Sequence, residues 1–259
     1  LGCSWGDNID PRGLEFGGAL YNRTTNPRHK ELVQEYFSQL KDSGFLKVQT
    51  MQQYCSISVD GVTKFLPDRY VEGKCPICGS DDARGDQCDD CGSTYESIEL
   101  INPRSKMDPD AKIEVRDTDH FFFQLNQFQD ELERHSLTKQ KIWKPNVRAM
   151  TKNWLNMELR PRAVTRDMEW GIRVPIPDED WDSKRIYVWF EAVQGYLTCS
   201  RIWAENFSNN DDDWKKWWVK SDEGIEPKHI YFMGKDNIPF HTVIWPSIIM
   251  GLNSACLLY

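Results

Sequence analysis

Two pairs of cysteines in one short stretch carry the clearest chemical signal in this sequence. Cys75 and Cys78 form the first Cys-x-x-Cys pair, and Cys88 and Cys91 form the second. Four thiolates from two such pairs fit the tetrahedral coordination of zinc, and four protein ligands leave no open position for catalysis. A glycine follows each pair and suits a turn with positive φ. The spacing predicts one structural zinc ion.

Disulfide bonding or redox chemistry is the main alternative for these four cysteines. The sequence shows no secretory signal and is not a small disulfide scaffold, and both points favour the metal. The remaining cysteines form no obvious framework, which is typical of a reducing cytoplasm. These are Cys3, Cys55, Cys199 and Cys256.

Composition limits the classes of protein to consider. The chain has 259 residues, of which 39% are apolar and 11 are tryptophan, as expected of one large folded domain or two smaller ones. Its longest apolar runs are shorter than the ~20 residues of a membrane span, so we expect a soluble protein without a membrane partner. A net charge of −8 argues against general electrostatic binding of nucleic acid.

The elements that must position chemistry follow from periodicity. Asn26 as N-cap, Pro27 in the first turn and an apolar face ending before Gly44 predict a helix. Residues from about 54 to 103 read as a small lobe of strands and turns. Arg185 to Phe190 and His229 to Met233 read as strands that each lead into a helix, the βα pattern of a parallel sheet. Ligands of such sheets bind beyond the carboxyl ends of the strands.

Candidate binding residues lie at these two strand ends. Four residues at i, i+3, i+4 and i+7 would share one face of a helix, namely Trp189, Ala192, Val193 and Tyr196. In the second segment, Asn237 and His241 are four apart, after the polar run Gly234 to Asp236. An aromatic stripe at this spacing is more often core, and a lone histidine is more often structural, so both readings stay open here.

Four motifs in this order closely resemble the methionyl-tRNA synthetase family of class I aminoacyl-tRNA synthetases. The likeness runs from about Arg23 to near the C-terminus. The motifs are FLPDRYVEGKCPICGSDDARGDQCDDCG (65–92), TRDMEWG (165–171), YVWFEAVQGY (187–196) and GKDNIPFHT (234–242).

The resemblance implies an α/β fold in which a Rossmann-type parallel-sheet catalytic domain is interrupted by a small zinc-knuckle insertion. It assigns residues 1–50 to the end of the first Rossmann half and residues 51–118 to the zinc-binding connective peptide. Residues 119–259 are then the return from the insertion and the start of the second half. Cys75, Cys78, Cys88 and Cys91 match the zinc ligands of the family's knuckle.

The resemblance also implies roles for single residues. Positions that match the methionine pocket are Trp189, Ala192, Val193, Tyr196, Asn237 and His241. Arg166 and Asp236 match polar residues of the activation site, and Gly234 and Asp236 match the ATP site. The implied reaction is ATP-dependent activation of L-methionine, with Mg²⁺, and transfer to tRNA(Met) in the cytoplasm.

Physical chemistry fits those implied roles. Aromatic walls from Trp189 and Tyr196 suit a polarizable thioether. The Tyr196 hydroxyl and the His241 imidazole are expected to approach the sulfur as weak donors and to disfavour leucine. Activation is attack by a carboxylate on the α-phosphate, so Arg166 can supply positive charge while Asp236 holds an ammonium or a ribose hydroxyl. Zinc is expected to replace a hydrophobic core that the small insertion cannot build.

A second zinc ion is not expected. Cys55-x-x-Ser58 and Ser105-x-x-Asp108 offer one thiolate where four would be needed.

Two signatures of class I synthetases are not found in the sequence, a HIGH-like motif and a KMSKS-like loop. The chain therefore reads as an internal fragment that is inactive alone and that exposes the apolar stretch from Ile244 to Leu258. The alternatives are a zinc-stapled binding module and a catalytically silent synthetase paralogue.

Overall fold

The computed structural model describes residues 22–57, 63–66, 70–85, 88–93, 95–108, 110–219 and 227–252. These residues form a mixed α/β structure, as expected. The helices are α1 (Pro27–Asp42), α2 (Gln129–Thr138), α3 (Pro145–Asn156), α4 (Val188–Ala192), α5 (Gly195–Phe207), α6 (Lys215–Trp218) and α7 (Trp245–Gly251). The strands are β1 (Leu46–Ile57), β2 (Thr63–Phe65), β3 (Val71–Lys74), β4 (Ala83–Arg84), β5 (Ile101–Ser105), β6 (Lys112–Phe123), β7 (Arg162–Ala163), β8 (Thr165–Asp167) and β9 (Lys184–Ile186).

The chain divides into two compact units made of interleaved segments. The described residues of the first unit, which we call the helical unit, are 22–46, 123–162, 188–219 and 227–252. The second, which we call the strand unit, contains the described residues from 47 to 122 and from 163 to 187. The assignment of residues 1–50, 51–118 and 119–259 to parts of a synthetase stays a prediction.

Helix α1 confirms the sequence reading of its residues. Asn26 caps it by accepting a hydrogen bond from the Arg28 amide at 2.9 Å, and Pro27 occupies the first turn. Proline is tolerated there because its missing N–H has no partner in the helix. The apolar stripe is buried as its period predicts. It comprises Leu32, Val33, Tyr36, Phe37 and Leu40.

Three sheets account for the strands of the described residues. The orders are β2-β1-β6-β7, β4-β3-β5 and β8-β9. The β8–β9 pair is antiparallel and places Arg166 opposite Arg185. In β8 the outer two residues are buried and the central one is half-buried, as strand alternation requires. Arg166 therefore lies on one face of the strand, and Thr165 and Asp167 lie on the other.

The lobe that contains the four cysteines, which we call the cysteine lobe, has a small apolar core. This corrects the expectation that zinc replaces a hydrophobic core that the lobe cannot build. Its buried residues include two of the four cysteines. They are Tyr54, Leu66, Val71, Cys75, Ala83, Cys88 and Leu100, with Tyr95 and Ile113 packed against them. The cysteine cluster and the apolar packing therefore share one centre in this lobe.

The strand predicted at Arg185 to Phe190 is confirmed only in part, and the strand predicted at His229 to Met233 is wrong. Only Lys184–Ile186 of the first run is a strand, and it pairs antiparallel with β8. Residues 227–234 of the second region contain no regular element. Periodicity could not separate a buried strand from an extended segment, because both carry consecutive apolar residues.

Two further expectations differ from the structure. Residues 189–196 do not lie on one helix, since α4 ends at Ala192 and α5 begins at Gly195. The stretch from Ile244 to Leu252 is largely buried, with Trp245 and Ile248 fully so, although exposure was expected. Residues 253–258 lie outside the described part of the chain. No helix among the described residues is long and apolar enough to cross a membrane.

Candidate functional site: a four-cysteine cluster and an aromatic pocket

The four predicted ligands converge in the strand unit. All four sulfur atoms lie within 4.8 Å of one another. Cys75 Sγ is 3.9 Å from Cys91 Sγ, and Cys78 Sγ is 3.6 Å from Cys88 Sγ. A tetrahedral zinc ion with bonds of about 2.3 Å separates its sulfur ligands by about 3.8 Å. The spacing of the sulfur atoms therefore fits that ion.

The backbone repeats one turn at both cysteine pairs. The Gly79 amide donates to the Cys75 carbonyl at 3.1 Å, and the Gly92 amide donates to the Cys88 carbonyl at 2.9 Å. Gly79 has φ +79° and Gly92 has φ +71°, values that side chains with a Cβ rarely adopt. The glycines are thus required by the turns that direct both pairs of sulfurs inward.

The thiols of the cluster differ in pKa because they share hydrogen bonds with one another and with neighbouring serines. Hydrogen bonds from Ser93 lower the pKa of Cys91 to about 6. The Ser80 amide favours a thiolate at Cys78, but hydrogen bonds with Cys91 and the other cysteines outweigh it and raise the pKa of Cys78 to about 12. Neighbouring thiolates repel one another, and a divalent cation at their centre removes that repulsion.

A cluster of aromatic side chains, which we call the aromatic pocket, lies in the helical unit around the π-helical turn Phe240–Ile244. The Phe240 ring packs edge-on against Trp189, with centroids 4.5 Å apart. The adjacent His241 lies with Nε2 2.7 Å from the hydroxyl of Tyr196. One turn therefore brings together Trp189, Tyr196 and His241, three of the predicted pocket residues.

The direction of each hydrogen bond in this pocket can be assigned. His241 Nδ1 is 2.8 Å from the Asn237 carbonyl, which can only accept, so Nδ1 carries a proton. Burial lowers the pKa of His241 more than this hydrogen bond raises it, so the ring is neutral near pH 7. Nε2 is then an acceptor, and the Tyr196 hydroxyl donates to it. Burial also raises the pKa of Tyr196, which keeps its proton.

Both donors are thus engaged within the protein, and their expected approach to a thioether stays a prediction. The Tyr196 proton points to His241, and the Nδ1 proton of His241 points to the Asn237 backbone. The sequence indicates which residues lie together, but it does not indicate which group donates each hydrogen bond.

Sequence reasoning missed two aromatic neighbours of the pair. The Tyr231 ring lies 4.9 Å from Tyr196 and 5.4 Å from His241, measured between centroids. Trp245 Nε1 donates to the Tyr231 hydroxyl at 3.2 Å. In the sequence, both residues belong to aromatic stretches that flank the polar run Gly234 to Asp236. Those stretches were interpreted only as a strand and as core.

The remaining predicted pocket residues differ in exposure. Val193 is buried in the turn between α4 and α5, Ala192 is exposed and Asn237 is half-buried. The Asn237 backbone carbonyl contacts His241, whereas its side chain lies 3.5 Å from Asp236. Asn237 and His241 thus lie together, as their spacing of four residues predicts, but the contact is made by the backbone carbonyl of Asn237.

The predicted ATP-site residues are exposed at the start of this segment. Gly234 precedes a short 3-10 helix, Lys235–Asn237. A Cβ at Gly234 would lie 2.8 Å from the Asp236 carboxylate oxygen, so a larger residue would push that carboxylate aside. Glycine here leaves Asp236 in place at the surface.

Arg166 lies in the strand unit, at the centre of β8. Its guanidinium donates to the carbonyls of Ala163 at 3.1 Å and Thr165 at 2.9 Å. It also stacks over the Tyr187 ring, 4.5 Å from the centroid. The local backbone and one aromatic ring therefore set its direction.

A buried polar triad holds the helices that carry the pocket. His29 of α1 lies 2.8 Å from Glu191 of α4 through Nε2 and 2.7 Å from Thr198 of α5 through Nδ1. His29 is fully buried and Glu191 nearly so. Buried polar groups are retained when they are paired, and here the pairing joins three helices.

Comparison with known proteins now decides the family. The sequence profile of the class I (M) tRNA synthetases matches residues 12–257. The chain belongs to this family.

Among curated members of the synthetase family, a methionine–tRNA ligase of Chloroflexus aggregans is 44% identical over 248 residues, covering 95% of this chain and 39% of that protein. One from Picrophilus torridus is 46% identical over 241 residues, covering 93% of this chain and 33% of that protein. The chain thus spans about two fifths of their length or less.

A solved structure shows a likeness in fold. It is the Mycobacterium tuberculosis methionyl-tRNA synthetase bound by methionyl-adenylate, with a TM-score of 0.57 and 18% identity. The match covers 94% of this chain and 40% of that one. This confirms a synthetase-type α/β fold for the chain.

Proposed function

We propose that this chain supplies the amino-acid pocket and the metal-stapled lobe of a methionine–tRNA ligase. The complete enzyme activates L-methionine with ATP and transfers it to tRNA(Met). Relatives that carry this name, 44–46% identical over nearly the whole chain, support the proposal. The proposal includes the domain assignment stated above, with residues 51–118 as the connective insertion.

One observation carries the choice of amino acid, the neutral Tyr196–His241 pair within aromatic rings. A methionine side chain has no charge and a polarizable sulfur, which makes favourable contacts with ring edges of about 0.3–1.5 kcal/mol. Trp189 and Tyr196 supply such rings on either side of the π-helical turn. A charged substrate side chain would lose its hydration without gaining a counter-ion from this pair.

The activation step needs charge placed outside that pocket. A methionine carboxylate oxygen forms a bond to the α-phosphorus of ATP, and pyrophosphate leaves with the electrons of the broken P–O bond. In the proposal Arg166 stabilises negative charge on the reacting groups, and Asp236 binds the substrate ammonium or a ribose hydroxyl. Preorganised charges of this kind are usually the largest catalytic contribution. Mg²⁺ enters with ATP as part of that substrate.

The four-cysteine cluster holds zinc in the proposal. The spacing of its sulfur atoms and the glycine turns support this identity. Zinc bound by four thiolates crosslinks the lobe and supplies folding free energy. Free thiols at the described cysteines support a reducing compartment, and we propose the cytoplasm.

The test is methionine-dependent exchange of pyrophosphate into ATP by the complete protein. We expect exchange with methionine and much less with leucine. His241→Ala should raise the KM for methionine more than the KM for ATP, because the variant removes the group that orients Tyr196.

A matched control is His135→Ala, which replaces a partly buried histidine on helix α2, packed on Trp143. It should leave the ratio of the two KM values unchanged. Absence of exchange in the wild-type complete protein would favour the silent paralogue. Equal changes of both KM values in His241→Ala would count against the assigned pocket.

A further inference from the structure

A buried polar cluster lies beneath strand β8, on the side opposite Arg166. Its side chains come from β1, β6, β8 and β9, and all of them belong to the strand unit. They are Gln53, Thr118, His120, Thr165, Asp167 and Lys184, and each is at most 8% exposed. None of these side chains is assigned a role in the reaction proposed above.

His120 binds both strand neighbours of Arg166. Its Nδ1 lies 3.0 Å from Thr165 Oγ1, and its Nε2 lies 3.1 Å from Asp167 Oδ2. Residues i and i+2 of a strand point to one face and residue i+1 to the other. One imidazole therefore fixes the backbone on either side of Arg166.

Asp167 is held by two further contacts. Its Oδ1 accepts from Lys184 Nζ at 3.0 Å, and its Oδ2 accepts from Thr118 at 2.8 Å. Lys184 also donates to Thr118 at 2.7 Å. Because Lys184 is the register partner of Asp167 on β9, the ion pair also locks β8 to β9.

The proton directions in this cluster are consistent throughout. Asp167 can only accept from His120 Nε2, so Nδ1 of a neutral ring accepts from the Thr165 hydroxyl. Thr165 Oγ1 in turn accepts from the Phe121 amide at 3.0 Å. Burial lowers the pKa of His120, which favours the neutral ring. Burial raises the pKa of Asp167, but hydrogen bonds from His120, Thr118 and Lys184 lower it to about 2.

The path from this cluster to the arginine is short. Thr165 joins the two, because its hydroxyl binds His120 while its carbonyl accepts from the Arg166 guanidinium at 2.9 Å. A shift of the Thr165 backbone therefore moves the acceptor that aims Arg166. The Tyr187 ring supports the guanidinium from another direction.

We propose that Thr165, His120 and Asp167 are positioning residues for methionine activation, acting only through Arg166. This rests on the proposed function, in which Arg166 stabilises the charge that develops on the reacting groups. The cluster holds the strand backbone on both sides of Arg166, so the guanidinium meets the substrates without reorganising. A misplacement of about 1 Å in such a group can cost about 100-fold in rate.

A purely structural role predicts something different. A buried network that only stabilised the fold would change the unfolding temperature and would affect catalysis equally with or without the Arg166 guanidinium. A positioning role predicts that its catalytic effect disappears once that guanidinium is removed. A double-mutant cycle separates the two, because it measures the coupling directly.

The test uses pyrophosphate exchange by the complete protein with Thr165→Val, Arg166→Ala and the double variant. Valine keeps the shape of threonine and removes the hydroxyl, which contacts both His120 and the Phe121 amide. We expect Thr165→Val to lower kcat by about 10- to 100-fold, with little change in the KM for methionine. In the Arg166→Ala background the same change should lower kcat less than twofold. Thr165→Ser, which restores the hydroxyl, should recover most of the rate.

Thr198→Val is the matched control, since Thr198 is also a buried threonine that contacts a histidine, His29, at 2.7 Å. Its effect on kcat should be the same with and without Arg166. If Thr165→Val lowers kcat equally in both backgrounds, or not at all, the positioning role is overturned while the proposed function stands. A wild-type protein without methionine-dependent exchange overturns both. Asp167→Asn provides a second cycle if Thr165→Val does not fold.

Discussion

The cysteine cluster and the aromatic pocket are built in opposite ways. The cluster draws its four sulfur atoms from residues 75–91, and its turns follow from two short pairs with glycines. The pocket joins residues near 190 to residues near 240, and its central contact is the Tyr196–His241 hydrogen bond. One site is local along the chain, and the other depends on helices that meet through packing.

This difference predicts how each site fails. A metal site built from four ligands that are close in sequence depends on each of them, so each ligand contributes a large share of the free energy of metal binding. A packed pocket has many small contacts, so one lost contact changes binding more than folding. The predictions below test this contrast, from the largest effect to the smallest.

Cys88→Ser should abolish metal binding and unfold the cysteine lobe, because Cys88 is both a proposed zinc ligand and a buried core residue. Structural zinc sites contribute about 10–16 kcal/mol, so loss of one ligand exceeds what the small core can replace. Metal analysis should give one zinc ion per wild-type chain and none in the variant. Cys55→Ser, at a buried cysteine outside the cluster, should keep the metal. Zero or two zinc ions in the wild type would contradict the prediction.

Glu191→Ala should lower the free energy of unfolding by about 3–5 kcal/mol, because it removes one partner of a buried pair and leaves His29 Nε2 without its partner, while Nδ1 keeps its contact with Thr198. Chemical denaturation of the complete protein measures this. Glu191→Gln keeps an acceptor for His29 and should lose much less. Equal losses for the two variants would show that the negative charge of Glu191, and not its volume or an uncharged acceptor, holds α4 to α1.

Tyr196→Phe should raise the KM for methionine about 2- to 10-fold with a small change in stability, since a hydrogen bond contributes about 0.5–1.5 kcal/mol. The variant keeps the ring and frees His241 Nε2 from its donor. Steady-state exchange kinetics measure the change. Tyr36→Phe, which removes a buried hydroxyl that binds Arg201, is the control and should leave this KM unchanged. A change in the KM for ATP alone would exclude the assigned role of Tyr196.

Lys64→Ala should change the free energy of unfolding by less than about 0.5 kcal/mol. Its ion pair with Glu169 spans 3.4 Å between side chains that are 67% and 90% exposed. Exposed pairs gain little because water and salt screen them. Thermal unfolding measures the effect. A loss above about 2 kcal/mol would mean that the strand unit depends on surface charge more than on its buried core.

Part of this protein was determined by its sequence alone. The spacing of Cys75, Cys78, Cys88 and Cys91 fixed which atoms meet, because two-residue spacers leave a chain few ways to fold. Asn26 and Pro27 fixed the start of α1, because capping depends on residues next to one another. The four ordered motifs identified the synthetase family, which the profile match confirmed.

Only the tertiary structure decided the rest. The break between α4 and α5, the absence of a strand at residues 227–234 and the direction of the Tyr196 proton follow from packing between distant segments. The contact of His120 with both neighbours of Arg166 is of the same kind, since more than 40 residues separate them in the chain. Residues close in sequence have few possible arrangements, because covalent geometry restricts them, so their spacing predicts their contacts. The burial of a side chain and the position of its proton depend instead on which distant groups pack against it.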